Sequence, residues 1–164
     1  MLKTPLISIL AAAALLSGCA SLPPGQPGKT DQRTYADSRA SIWQRILLTS
    51  ANRSMFIRQA DTANGLIVTD REFVPAGSEL LENSISNWAW CGSGGLLGRT
   101  LSQRVELNYL VREERDGRTT VTVNGRFREL RVDIPTHPPQ WVECTSTGAL
   151  ERQLLEAFYY DHPV

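Results

Sequence analysis

Histidine, lysine and methionine are nearly missing from this chain, with two of each in 164 residues. The histidines are His137, inside Pro-Thr-His-Pro-Pro, and His162, near the end, and both read as solvated loop residues. Three cysteines and two histidines at these separations match no familiar zinc spacing, and Cys-x-x-Cys is absent, so neither a metal centre nor a dithiol redox site is expected. Charge of one sign is also lacking: 17 basic and 17 acidic residues balance. No basic run tracks a phosphate backbone, which argues against a nucleic-acid partner. Fifteen of the basic residues are arginines, scattered through the chain, and they read as genome composition or solvated faces, not as a site. The longest apolar run, Leu6 to Leu16, holds 11 residues, about half of what a membrane-spanning helix requires.

Motifs that would carry catalysis fail one by one. In Cys-Gly-Ser-Gly-Gly-Leu-Leu-Gly-Arg-Thr, residues 91–100, Ser93 stands where a phosphate loop needs its first glycine. Leu97 stands where the dinucleotide fingerprint needs its last, and Ser93 is not in Gly-x-Ser-x-Gly. These glycines read as room for a tight path. Asp61, Asp70 and Glu72 are close in sequence, but Asp61 precedes a turn and Asp70 and Glu72 follow a strand alternation, so they read as a solvated strand edge. No constellation with three independent catalytic parts remains. The chain is expected to be no enzyme and to hold no cofactor and no metal.

What is present begins with Lys3, the short apolar run and Leu16-Ser17-Gly18-Cys19, a pattern that reads as a secretory signal to be removed. These residues resemble the lipobox of bacterial lipoproteins. The resemblance implies cleavage before Cys19, a diacylglycerol on its thiol and acylation of the new amino terminus. Two or more acyl chains anchor stably where one does not, since each buried methylene contributes about 0.8 kcal/mol. Ala20 follows the cysteine where an aspartate would favour inner-membrane retention, so the implied address is the periplasmic leaflet of the outer membrane. Removal of residues 1–18 takes one lysine and leaves 146 residues with 16 basic and 17 acidic, a net charge of −1. That length suits one domain. Residues 19–33 read as a lipidated tether, whose proline- and glycine-rich part, residues 20–32, reaches roughly 40 Å at about 3.1 Å per residue. Residues 34–164 are then a single periplasmic domain.

With Cys19 assigned to lipid, Cys91 and Cys144 remain, 53 residues apart. In an oxidising compartment one disulfide is the simplest reading, against two free thiols or a redox-active pair.

Thr34 is a candidate N-cap for a first helix, whose apolar stripe runs Ala36, Ala40, Trp43, Leu47 and Ala51, widened by Ile42 and Ile46. Met55 to Asp61 and Leu66 to Phe73 flank Asn64-Gly65 as a hairpin. Val105, Leu107, Tyr109 and Val111 alternate with polar residues, and Asp116-Gly117 turns the chain into Thr119, Val121 and Val123. Leu130, Val132 and Ile134 continue on the other parity, which predicts a bulge at Gly125. Thr145 to Thr147 offer N-caps for a last helix with a stripe of Leu150, Leu154, Leu155 and Phe158. The expected fold is α+β: an antiparallel sheet of about four strands with an N-terminal and a C-terminal helix packed on one face. Over residues 34–73, a helix followed by FIRQADTANGLIVTD, this order resembles the helix-and-sheet domains of outer-membrane assembly lipoproteins.

Residues 75–103 form a long excursion between the hairpins, in which Leu80-Leu81 suggests a helical turn and Trp88-Ala89-Trp90 a strand. If extended, Trp88 and Trp90 share a face, and Trp141 lies three residues before Cys144, so a disulfide would gather the indoles as core. Exposed indoles would instead serve a partner or a sugar ring. Trp88, Trp90, Arg99 and Trp141 are therefore the candidate binding surface. The expected function is that of a non-enzymatic interaction module, bound to the membrane through Cys19 and to an envelope protein through this surface. The second reading is a binder of a small ligand, a lipid or a peptidoglycan glycan.

Overall fold

Two long strands with period-2 apolar patterns organise the molecule. The computed structural model describes residues 31–74, 85–92, 99–133 and 136–160. Cys19, the signal, most of the tether, Leu80-Leu81, residues 93–98, Ile134 and His162 lie outside the described residues. The elements run β1 (Asp31–Tyr35), α1 (Arg39–Asn52), β2 (Phe56–Asp61), β3 (Leu66–Phe73), a 3-10 turn (Ile85–Asn87), β4 (Ala89–Trp90), β5 (Arg99–Glu113), β6 (Thr119–Val132), β7 (Gln140–Ser146) and α2 (Ala149–Tyr160).

The fold is α+β with an antiparallel sheet, but among the described residues the sheet has seven strands where the periodicity predicts about four. Its path is β2-β3-β5-β6-β7-β4, and β1 also pairs with β6. The extra strands exist because β6 is long. Its first half, Thr119 to Val123, takes β1 as neighbour, and its second half, Phe127 to Arg131, takes β7 on the same edge. The strand β1 thus begins inside the stretch read as tether. Thr34, read as a helix cap, sits in β1 and shares a 3.0 Å hydrogen bond with the Thr120 hydroxyl. The N-cap of α1 is Ser38, whose hydroxyl accepts the Ser41 N–H.

No bulge occurs at Gly125. The β5–β6 register runs unbroken from Ser102↔Leu130 to Glu113↔Thr119, and the shift falls at Thr100/Ser102. The core-facing parity passes from Val121 and Val123 through Gly125 to the fully buried Phe127. A side chain at Gly125 would collide with the Phe127 ring and with Oε1 of Glu151, which explains why this inward position lacks one. Leu130 keeps the register opposite Ser102, Val132 pairs with Arg99 beyond the shift, and both lie on the other face of the sheet.

One apolar cluster joins Ile42, Trp43 and Ile46 of α1, Leu154, Leu155 and Phe158 of α2, and the inward residues of β3, β5 and β6. The face of the sheet that carries this cluster is the inner face. The stripe of α1 is rotated from the predicted one: Ala36, Ala40 and Ala51 are exposed, whereas Arg45, Thr49 and Ser50 are buried. Arg45, 4 % exposed, corrects the reading of the arginines as solvated. It pairs with Asp37 at 2.8 Å and donates to the Phe158 carbonyl at 2.9 Å, placing a cation on the last turn of α2 where the helix dipole favours it. The start of α2 is held by Ser146, which accepts the Gly148 N–H and donates to Glu151 at 2.6 Å.

Candidate functional site

Cys91 and Cys144 are joined. Ala89 pairs with Ser146 and Trp90 with Thr145, so the cysteines are the next directly opposed residues, with Cα atoms 4.1 Å apart. A two-residue strand has little stability of its own, and the link holds it to the sheet. Just before it, the Trp88 carbonyl accepts both the N–H and the hydroxyl of Thr147, at 2.8 and 2.9 Å. The disulfide and the start of α2 therefore fix this segment from both sides.

The structure divides the indoles between two faces. Trp88 packs against the core on the inner face. Trp90 and Trp141 are 46 % and 43 % exposed. Both fall on the parity of β7 and β4 opposite to Cys144, the outer face. The indoles are thus not gathered as core, because Trp88 lies outside the strand and does not follow its alternation. Trp90 opposes Thr145 and Trp141 opposes Leu130, four residues apart along β7, or roughly 13 Å at about 3.3 Å per residue. Between them lies Glu143, bonded to Arg126 at 2.6 Å. The Arg128 guanidinium stands 5.6 Å from the Trp141 ring centre. Arg99 is exposed and opposes Val132, at the same end of the sheet as Leu130 and Trp141. Three of the four candidate surface residues, Trp90, Arg99 and Trp141, thus belong to the outer face, and Trp88 does not.

The inner face holds a cavity of about 220 Å³, a pocket on the helix side of the sheet as the ligand-binding alternative would need, but apart from Trp88 sequence reasoning named none of its lining. Its walls are Met55, Phe73, Trp88, Val105, Leu107, Leu150 and Leu154, and two arginines, Arg53 and Arg71, complete it. One signal could have found it. In Leu66 to Phe73 the core-facing parity reads Ile67, Thr69, Arg71 and Phe73, with a charge where an apolar residue is due. A second missed feature is the edge strand β2, where Phe56 and Ile57 are 68 % and 45 % exposed.

The three carboxylates do not converge. Asp61 closes its turn by accepting the Asn64 N–H and side-chain amide, and Glu72 accepts the Ser102 hydroxyl at 2.7 Å. Asp70 is no solvated edge residue: it is 3 % exposed in β3, between Arg58 at 2.7 Å and Arg104 at 2.5 Å. The Arg58 hydrogen bond, with Arg104 adding to it and desolvation opposing it, lowers the Asp70 pKa below its ordinary value. A carboxylate with a depressed folded pKa contributes stability that is present above its unfolded pKa, about 3.9, and is lost as pH falls through the folded value. Asp70→Asn should therefore cost about 2 kcal/mol at pH 7 and progressively less below about pH 4. Urea melts of both proteins between pH 7 and pH 2 check this. A pH-independent difference would show that the charge is not what matters.

Among the described residues no group of three histidine, cysteine, aspartate or glutamate side chains could hold a metal ion. His137 is exposed in its loop. Compared with known proteins, the chain matches no family model and no curated relative.

Proposed function

We propose that this chain is a lipoprotein of the outer membrane, held in the periplasmic leaflet by lipid on Cys19, and that it acts there as a non-enzymatic interaction module. Its helices pack on the inner face, and the outer face is left for a second envelope protein. The observation that carries this reading is the pair of half-exposed indoles, Trp90 and Trp141, on one face and fixed by one disulfide. An indole that stays in water forgoes a large hydrophobic gain, and Trp with Arg is the composition of binding hot spots. Arg128 over Trp141 and the Arg126–Glu143 pair supply charge of both signs around the indoles, which suits a protein surface better than a nucleic acid. Lipid confinement raises the local concentration near such a partner, and the tether sets the reach.

The test uses the double variant Trp90→Ala/Trp141→Ala in cross-linked cells. Both side chains are half in water, so the thermal midpoint should move little while partner capture falls at least tenfold. Capture unchanged by the double variant would overturn the surface. The inner-face cavity favours ligand binding as a second activity.

A further inference from the structure

We infer that the inner-face cavity is a binding site for a small amphiphile with an anionic head and a single acyl stem. The inference stands apart from the outer docking face, since the sheet separates the two, and either can fail alone. It starts from Arg71, which the β3–β5 register places opposite Val105 on the core-facing side of the sheet. A guanidinium there requires compensation. Part of it is visible: Arg71 donates to the Arg53 carbonyl at 2.6 Å, and its charge lies 4.4 Å from the Phe73 ring centre. Arg53, whose carbonyl takes that bond, also lines the cavity, and among the described residues neither arginine makes an ion pair. The Arg71 guanidinium at the wall of a largely apolar cavity has no carboxylate partner among the described residues, and an anionic ligand head would supply one. The planar donors of arginine suit a carboxylate or a phosphate.

The remaining walls identify the rest of the ligand. Phe73, Trp88, Leu107, Leu150 and Leu154 offer apolar surface and no polar side chain. A cavity of about 220 Å³ has room for several methylene groups. That volume fits a medium-length acyl stem and is small for both chains of a two-chain lipid. A sugar is disfavoured too, because away from the two arginines its hydroxyls would meet apolar walls and lose their hydrogen bonds to water.

Titration calorimetry on the full chain carrying Cys19→Ser, with four probes, tests the site. Octanoate and octyl phosphate share the anionic head and the stem. Octanol lacks the charge, and inorganic phosphate lacks the stem. The site predicts saturable one-to-one binding of octanoate, octyl phosphate or both, at least tenfold weaker binding of octanol, and none of phosphate. Arg71→Gln should weaken the anionic probe about tenfold and leave octanol unchanged, with Arg53→Gln as a second variant should the first fail to fold. Trp88→Ala should weaken all acyl probes together. Octanol binding as well as octanoate would overturn the anion-binding role, and silence from all the acyl probes would overturn the site.

Discussion

Replacing Cys91 and Cys144 together by serine should lower the stability of the domain by about 4 kcal/mol, from the chain entropy released by opening a 53-residue loop. For a domain of this size that corresponds to a fall of about 15 °C in thermal midpoint. The link has a local role as well. Among the described residues β4 pairs with β7 at two positions only, Ala89↔Ser146 and Trp90↔Thr145. Without the covalent bond those pairs are weak, and the Trp88 wall of the cavity depends on them and on Thr147. The variant should therefore lose octanoate binding under conditions where its far-ultraviolet circular dichroism is still that of the wild type. Reduction of the native protein should reproduce both effects. A stability change under 1 kcal/mol would mean that the sheet holds β4 by itself.

Gly65→Ala should be more severe per atom added. Gly65 ends the Asn64-Gly65 turn with φ of +71°, a region that costs an alanine about 1–2 kcal/mol. Space is also missing. Its carbonyl accepts the Val111 N–H at 2.7 Å, and a Cβ at position 65 would overlap the Val111 carbonyl oxygen. The backbone of β5 cannot yield without breaking its ladder to β3 or β6. The expected loss is at least about 3 kcal/mol, with a reduced yield of folded protein. Gly117→Ala is the control, because Gly117 has φ of +80° and nothing within 4 Å of the Cβ position. Its cost should be only the conformational part, about 1–2 kcal/mol. Urea melts of both variants separate strain from collision, and equal losses would contradict the close approach of β5 to the turn.

The parts of the fold that were legible are those written in local pattern. Asn64-Gly65 and Asp116-Gly117 mark both hairpins, and the alternation of Val105 to Val111 marks the central strand. The stripe of Leu150, Leu154, Leu155 and Phe158 marks α2, and all four are buried. The strands that escaped depend on distant partners. Nothing local in Asp31–Tyr35 announces a strand until Thr119 to Val123 is there to pair with it, and Ala89–Trp90 is too short for any periodicity. The α1 stripe was misplaced because it counted small alanines as core and passed over Arg45, which is buried by its bonds to Asp37 and Phe158. For the candidate surface, the sequence pointed to three tryptophans, of which Trp90 and Trp141 lie on the outer face and Trp88 packs against the core. Their division between faces follows from Trp88 lying just outside β4, and a one-residue boundary of that kind cannot be read from composition.

The central claim is that the outer face around Trp90 and Trp141 meets one envelope protein while Cys19 holds the chain to the membrane. Photo-cross-linking in living cells, with a photoreactive residue at position 90 or 141 in turn, tests it most directly. Arg112, exposed on the same face at the hairpin end, serves as the control position. The account predicts one discrete envelope-protein adduct from positions 90 and 141, none from 112, and loss of the adduct when Cys19→Ala is added. The same adducts from all three positions, or an adduct that persists at full yield without Cys19, would contradict it.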